Sequence, residues 1–177
     1  MVGMAQLPPS LQHAVPAGDP SIRARKVAIL VAHGIVGKSA VGLHATLLAL
    51  GAQPCFVAPR IGPVKTVDGV FVDAEASLQN EPGFLFDALA LPDGDEGVQA
   101  LARDTHTLDF IRDQHRSGKA ILAMPASRAL LEAAGVSLTL PSGQADPGLV
   151  VGHDATAFVQ AIVRDRHPGR HIEPPSP

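Results

Sequence analysis

Residues 26–32, Lys-Val-Ala-Ile-Leu-Val-Ala, form a near-continuous apolar run that His33-Gly34 breaks abruptly. A strand that is apolar at odd and even positions alike is buried on both faces, as strands of parallel sheets are. A helical stripe follows at once: Val36, Ala40, Leu43, Leu47 and Leu50 lie on one face, and Gly51 stands where a left-handed terminator fits. The alternation then repeats. Strands are predicted at 55–58, 86–91, 120–123 and 148–152. Helices are predicted at 95–102, at 105–117 with Thr105 as N-cap and Gly118 as terminator, and at 126–134 closed by Gly135. A last helix begins at Asp154 and carries Ala155, Phe158, Val159 and Ile162 inward. Between the second and third central strands, residues 64–72 place two β-runs around Asp68-Gly69, a hairpin signal outside the main sheet. The expected fold is therefore α/β: a doubly wound, mostly parallel sheet, flavodoxin-like, with helices on both faces and a small β-hairpin excursion.

The proline pattern sets the domain limits. Pro8, Pro9, Pro16 and Pro20 mark residues 1–24 as a linker or arm; Pro168, Pro174, Pro175 and Pro177 mark 166–177 as a tail. Residues 25–165 remain as one folded domain, and the 46% hydrophobic content supplies its core. A net charge of −3 without a basic cluster argues against nucleic acid or a membrane as partner, and no apolar run is long enough to span a bilayer. Residues 1–12 lack the basic and apolar blocks of a secretory signal. The single Cys55 excludes an internal disulfide and fits a cytoplasmic location. Tyr and Trp are absent, so no tyrosine can ligate haem or donate a proton in this chain.

Ligands of doubly wound folds sit beyond the carboxyl ends of the strands, where strand order switches. That rim comprises residues 33–38, 59–63, 92–97 and 124–127. At its last segment the strand-to-helix elbow, a place that can hold a nucleophile, carries Met124. A thioether has no proton to lose and attacks carbonyl carbon poorly. Ser127 stands nearby as a weak alternative, with no His or Asp assignable as its base, and Cys55 reads as core filler. Gly34, Gly37 and Lys38 make a weak anion-site candidate at the first helix start, but the glycine spacing of dinucleotide and P-loop motifs is missing. Asp93, Asp95 and Glu96 form a short acidic turn that favours a helix N-terminus. The eight histidines lack the spacing of zinc motifs; His167 and His171 are separated by Pro168 and Gly169. No metal site and no cofactor site are assigned.

Residues 21–32, Gly34, the segments Val57-Ala58-Pro59 and Gly62-Pro63-Val64, Asp68-Gly69, Phe86-Asp87-Ala88, Leu91-Pro92-Asp93-Gly94 and residues 130–135 together resemble the DJ-1/PfpI (class I glutamine amidotransferase-like) superfamily. Within it the chain most resembles the C-terminal domain of large-subunit catalases, and residues 15–20 resemble the connector that precedes that domain. The resemblance places the nucleophile position of active relatives on Met124 and their helix acid near Ser39. It implies a non-catalytic stabilising or interaction domain, with peroxide chemistry and haem confined to an upstream catalase domain. It also implies a catalase core or a second copy of the chain as partner, and chaperone-like action when alone. The alternative is a free-standing DJ-1/PfpI-type hydrolase or glyoxalase-like enzyme with a non-standard nucleophile. A third reading, an anion- or nucleotide-binding module, uses the turn at residues 33–39.

Overall fold

The computed structural model describes residues 21–164 together with His167 and Arg170; the rest of the two proline-rich ends lies outside the described residues. The first strand, β1 (Lys26–Leu30), is followed by α1 (Gly37–Ala49) and β2 (Gln53–Ala58). An excursion, β3 (Gly62–Val64) and β4 (Val72–Ala74), leads to the short β5 (Ala76–Ser77). Next come β6 (Ala88–Leu91), α2 (Asp95–Ala102), α3 (Thr105–Arg116) and β7 (Ala120–Ala123). The domain finishes with α4 (Arg128–Ala133), β8 (Leu149–Val151) and α5 (Ala155–Val163).

Six strands form one parallel sheet in the order β5-β2-β1-β6-β7-β8. The chain builds outward from β1 through β2 to β5, returns to pair β6 with β1, and builds outward again through β7 and β8. Strand order therefore reverses between β1 and β6, which is where a ligand crevice is expected. Residues alternate strictly between faces. Val27, Ile29, Ala88, Ala90 and Leu122 pack under α1 and α5 through Leu43, Leu47, Phe158 and Ile162. Ala28, Leu30, Leu89, Leu91 and Ile121 pack under α2, α3 and α4 through Val98, Leu101, Phe110, Ile111 and Leu130. This two-sided burial is what the apolar run at 26–32 predicted.

Several boundaries differ from the sequence expectation for identifiable reasons. The N-cap of α3 is Asp104, whose carboxylate accepts the His106 N–H at 2.9 Å; Thr105 is the first helical residue. The predicted helix at 126–134 opens as a 3₁₀ turn, Pro125–Ser127, in which Ser127 N–H donates to Met124 O at 2.8 Å. The hairpin is present and antiparallel, but it is not a tight Asp68-Gly69 turn: its strands end at Val64 and resume at Val72. The residues between them are drawn onto the β1–α1 turn. Gly34 N–H donates to Lys65 O at 2.8 Å and Val67 N–H to Ile35 O at 2.9 Å. The folded unit also reaches into the proline-rich ends, since Ile22, His167 and Arg170 are buried.

Candidate functional site

The corner after β7 is relaxed and filled. Met124 has φ −64° and ψ 158°, ordinary extended backbone, and its N–H donates to Leu91 O at 3.2 Å. A nucleophile elbow holds its reactive residue on a strained turn and exposes it. The Met124 side chain is instead 3% exposed, part of the core beneath α1 and α5. Ser127 is fully buried, and its hydroxyl donates to the Pro92 carbonyl. That bond commits the hydroxyl proton to a backbone acceptor rather than to a base. Ser39, where the resemblance puts an acid, donates its hydroxyl to Val36 O at 3.2 Å.

Asp93 ties the neighbouring turns together. One carboxylate oxygen accepts the Ala126 N–H at 3.1 Å and the other meets His153 Nε2 at 3.3 Å, while the Asp93 carbonyl accepts Val36 N–H at 2.9 Å. The pair joins the ends of β6 and β8 across β7. Sequence reasoning placed Asp93 in the acidic turn but did not bring His153 to it. They are far apart in the chain, and only the strand order makes them neighbours.

The β1–α1 turn carries its own anion. Gly37 and Lys38 donate their N–H groups to the two Asp68 carboxylate oxygens at 3.0 and 2.9 Å. A helix N-terminus leaves such N–H groups unpaired and favours a negative partner, and Asp68 meets both needs from the hairpin loop. The Lys38 N–H first, with those of Gly37 and Val70 and the Thr66 hydroxyl, holds the Asp68 carboxyl down to about 2. The Gly37 and Lys38 candidates thus share an internal carboxylate in place of a ligand, while the Gly34 N–H is taken by the Lys65 carbonyl. Because the folded state favours ionised Asp68, its contribution is complete above about pH 4 and fades as pH falls towards 2. Asp68→Asn is expected to lower the thermal midpoint at pH 7 and to leave it unchanged at pH 2, as read by circular dichroism melts.

The crevice where strand order reverses is closed by backbone packed on backbone. A Cβ on Gly34 would lie 2.5 Å from Glu96 Cβ, and one on Gly97 would lie 2.2 Å from Ile35 Cγ2 and 2.8 Å from Ile35 N. Gly94 has φ +107°, and a Cβ there would sit 2.8 Å from Gly34 O and 2.9 Å from Ile35 Cα. These glycines bring the start of α2 against the β1–α1 turn, in the space a ligand occupies in other doubly wound proteins.

Cys55 lies half-buried on β2, and burial, helped by Glu75 and Glu81, pushes its thiol up to about 11. A thiol that stays protonated at neutral pH is a poor nucleophile. Among the described residues no three His, Cys, Asp or Glu side chains converge as metal ligands. His13 and His171 lie outside the described residues. Among the described residues, no helix is long and apolar enough to cross a membrane.

Comparison with known proteins agrees with this architecture. The DJ-1/PfpI family model matches residues 25–142. The chain belongs to the DJ-1/PfpI family. A solved structure described as the VC2308 protein superposes with a TM-score of 0.66 at 27% identity, covering 78% of this chain and 83% of that one. A ThiJ/PfpI family protein from Pseudomonas syringae superposes with a TM-score of 0.69 at 22% identity, covering 93% of this chain and 76% of that one. Among curated proteins, catalase HPII of Pseudomonas putida is 32% identical over 157 residues, 87% of this chain and 21% of that protein. Catalase HPII of Pseudomonas aeruginosa is also 32% identical, over 85% of this chain and 20% of that protein. The chain thus spans about a fifth of the length of these curated relatives. That coverage fits the resemblance to the C-terminal domain of large catalases.

Proposed function

We propose that this chain is a non-catalytic stabilising and interaction domain of the kind carried by large haem catalases. The observation that carries the reading is the reactive corner itself: a buried, unstrained Met124 stands where active relatives need a nucleophile, beside a crevice closed by Gly34, Gly94 and Gly97. On this reading, peroxide and haem chemistry belong to a catalase core, and the domain packs against that core and raises its stability. The half-buried free Cys55 suits a reducing cytoplasm. When alone, the domain acts as a holdase-like chaperone through exposed apolar side chains such as Phe71 and Phe84.

The test adds the purified chain to the P. putida catalase HPII truncated by the matching fifth of its length. The chain alone is expected to show no Soret band and no peroxide decomposition, and the mixture is expected to survive heating longer than the truncated catalase. An unchanged inactivation half-life, or a stoichiometric Soret band in the chain alone, would overturn the proposal. Light scattering from a heated client protein tests the holdase reading; aggregation that proceeds unchanged in a molar excess of the chain contradicts it.

A further inference from the structure

Beyond that role, we propose that the cleft past the carboxyl ends of β1 and β2 binds a small monocarboxylate with a compact apolar body. The cleft has a volume of about 380 Å³ and is lined chiefly by Ala32, His33, Ala58, Arg60, Ile61 and Ala100. Small-molecule sites have volumes of this order, with mostly apolar walls and a few fixed polar groups. The room comes from alanines: Ala32 lies just past β1, Ala58 ends the adjacent β2, and Ala100 lines the cleft from α2. A larger residue at any of the three would fill the space.

Two polar groups face this apolar hollow, and both donate. His33 Nδ1 accepts the Lys65 N–H at 2.9 Å, so the neutral ring carries its hydrogen on Nε2. Backbone thereby sets the tautomer and leaves one donor for a ligand. The Arg60 guanidinium, at an exposed position on the rim, has no hydrogen bond or ion pair with the described residues. A guanidinium without a partner beside a fixed N–H donor matches a carboxylate. One guanidinium against one carboxylate, over alanine and Ile61 walls, selects a monoanion with an apolar body over phosphate.

The experiment titrates the isotopically labelled full chain with sodium benzoate, benzamide and inorganic phosphate, followed by amide chemical shifts. Benzoate is expected to give saturable shifts centred on residues 32–33, 58–61 and 100, with benzamide and phosphate at least about tenfold weaker. Arg60→Met, at an exposed position, is expected to weaken benzoate at least about tenfold with the rest of the spectrum unchanged. Ala100→Leu is expected to abolish the saturable shifts by filling the cleft. The proposal is overturned if benzoate gives no saturation by about 10 mM. It is equally overturned if benzamide or phosphate binds as well as benzoate, or if both variants bind like the parent chain.

Discussion

Replacing Arg170 with methionine is expected to destabilise the domain by about 3–5 kcal/mol, because it strands a buried charge. Arg170 Nε donates to Asp146 Oδ2 at 2.6 Å, and both side chains are 1% exposed. The guanidinium also donates to Lys119 O at 2.8 Å and His115 O at 3.0 Å, so it joins the α3–β7 connection to the loop before β8. Asp146 keeps two other partners, the Gly148 N–H at 2.8 Å and His115 Nε2 at 3.6 Å. Burial raises the Asp146 carboxyl, but His115 and Arg170 together outweigh it and hold the group down to about 2. Relative to an unfolded value of 3.8, that shift makes ionised Asp146 worth about 2 kcal/mol at neutral pH. The sign follows from the lowered folded-state value: the contribution is complete above about pH 4–5 and is lost as pH falls towards 2. Without Arg170 the carboxylate is held less firmly, so the deficit of Arg170→Met should shrink below pH 4. Urea unfolding at pH 7 and pH 3 reads both effects. Adding Asp146→Leu to Arg170→Met should recover part of the loss, since replacing both charges leaves neither unpaired. A double variant no more stable than the single one would show that packing, not the stranded charge, sets the cost.

Gly94→Ala is expected to cost about 3 kcal/mol or more, against a few tenths for a surface substitution. Two penalties add. The backbone sits at φ +107°, where a side chain is strained, and the new Cβ would meet Gly34 O at 2.8 Å and Ile35 Cα at 2.9 Å. Both contacts are backbone, so no rotamer change relieves them. Gly97→Ala is the companion case. Alanine in α2 gains about 1 kcal/mol of helix propensity, but its Cβ would lie 2.2 Å from Ile35 Cγ2 and 2.8 Å from Ile35 N, and Ile35 is fully buried. The clash should win by about 1–3 kcal/mol. Ile35→Ala should return part of that loss in Gly97→Ala and none in Gly94→Ala, as measured by denaturant midpoints. If both glycine variants are as stable as the parent chain, the crevice is open and the account of its closure is wrong.

Much of the fold was legible because it is written in local patterns. The apolar run at 26–32 and the stripe through Leu43 and Leu47 depend only on period, and burial on both sheet faces follows from them. What was not legible depends on tertiary distance. Asp68-Gly69 carries a turn signal, but nothing in its spacing says that its carboxylate will cap a helix starting thirty-one residues earlier, at Gly37. The Asp93–His153 contact exists because β7 separates β6 from β8. Gly94 and Gly97 read as turn punctuation; their close approach to Gly34 and Ile35 appears only when β1 and β6 pair. A methionine at the turn after β7 was legible from the sequence, while its burial and relaxed backbone needed the fold. His167 and Arg170 were assigned to a proline-rich tail, where composition hid two buried anchors.

The central claim is that this DJ-1/PfpI domain has no working catalytic corner. Its most direct test is turnover of methylglyoxal and p-nitrophenyl acetate by the purified chain, side by side with Ser127→Ala and Cys55→Ala. The account predicts rates at the buffer background, equal in all three proteins. Saturable turnover by the parent chain that either substitution abolishes would contradict it.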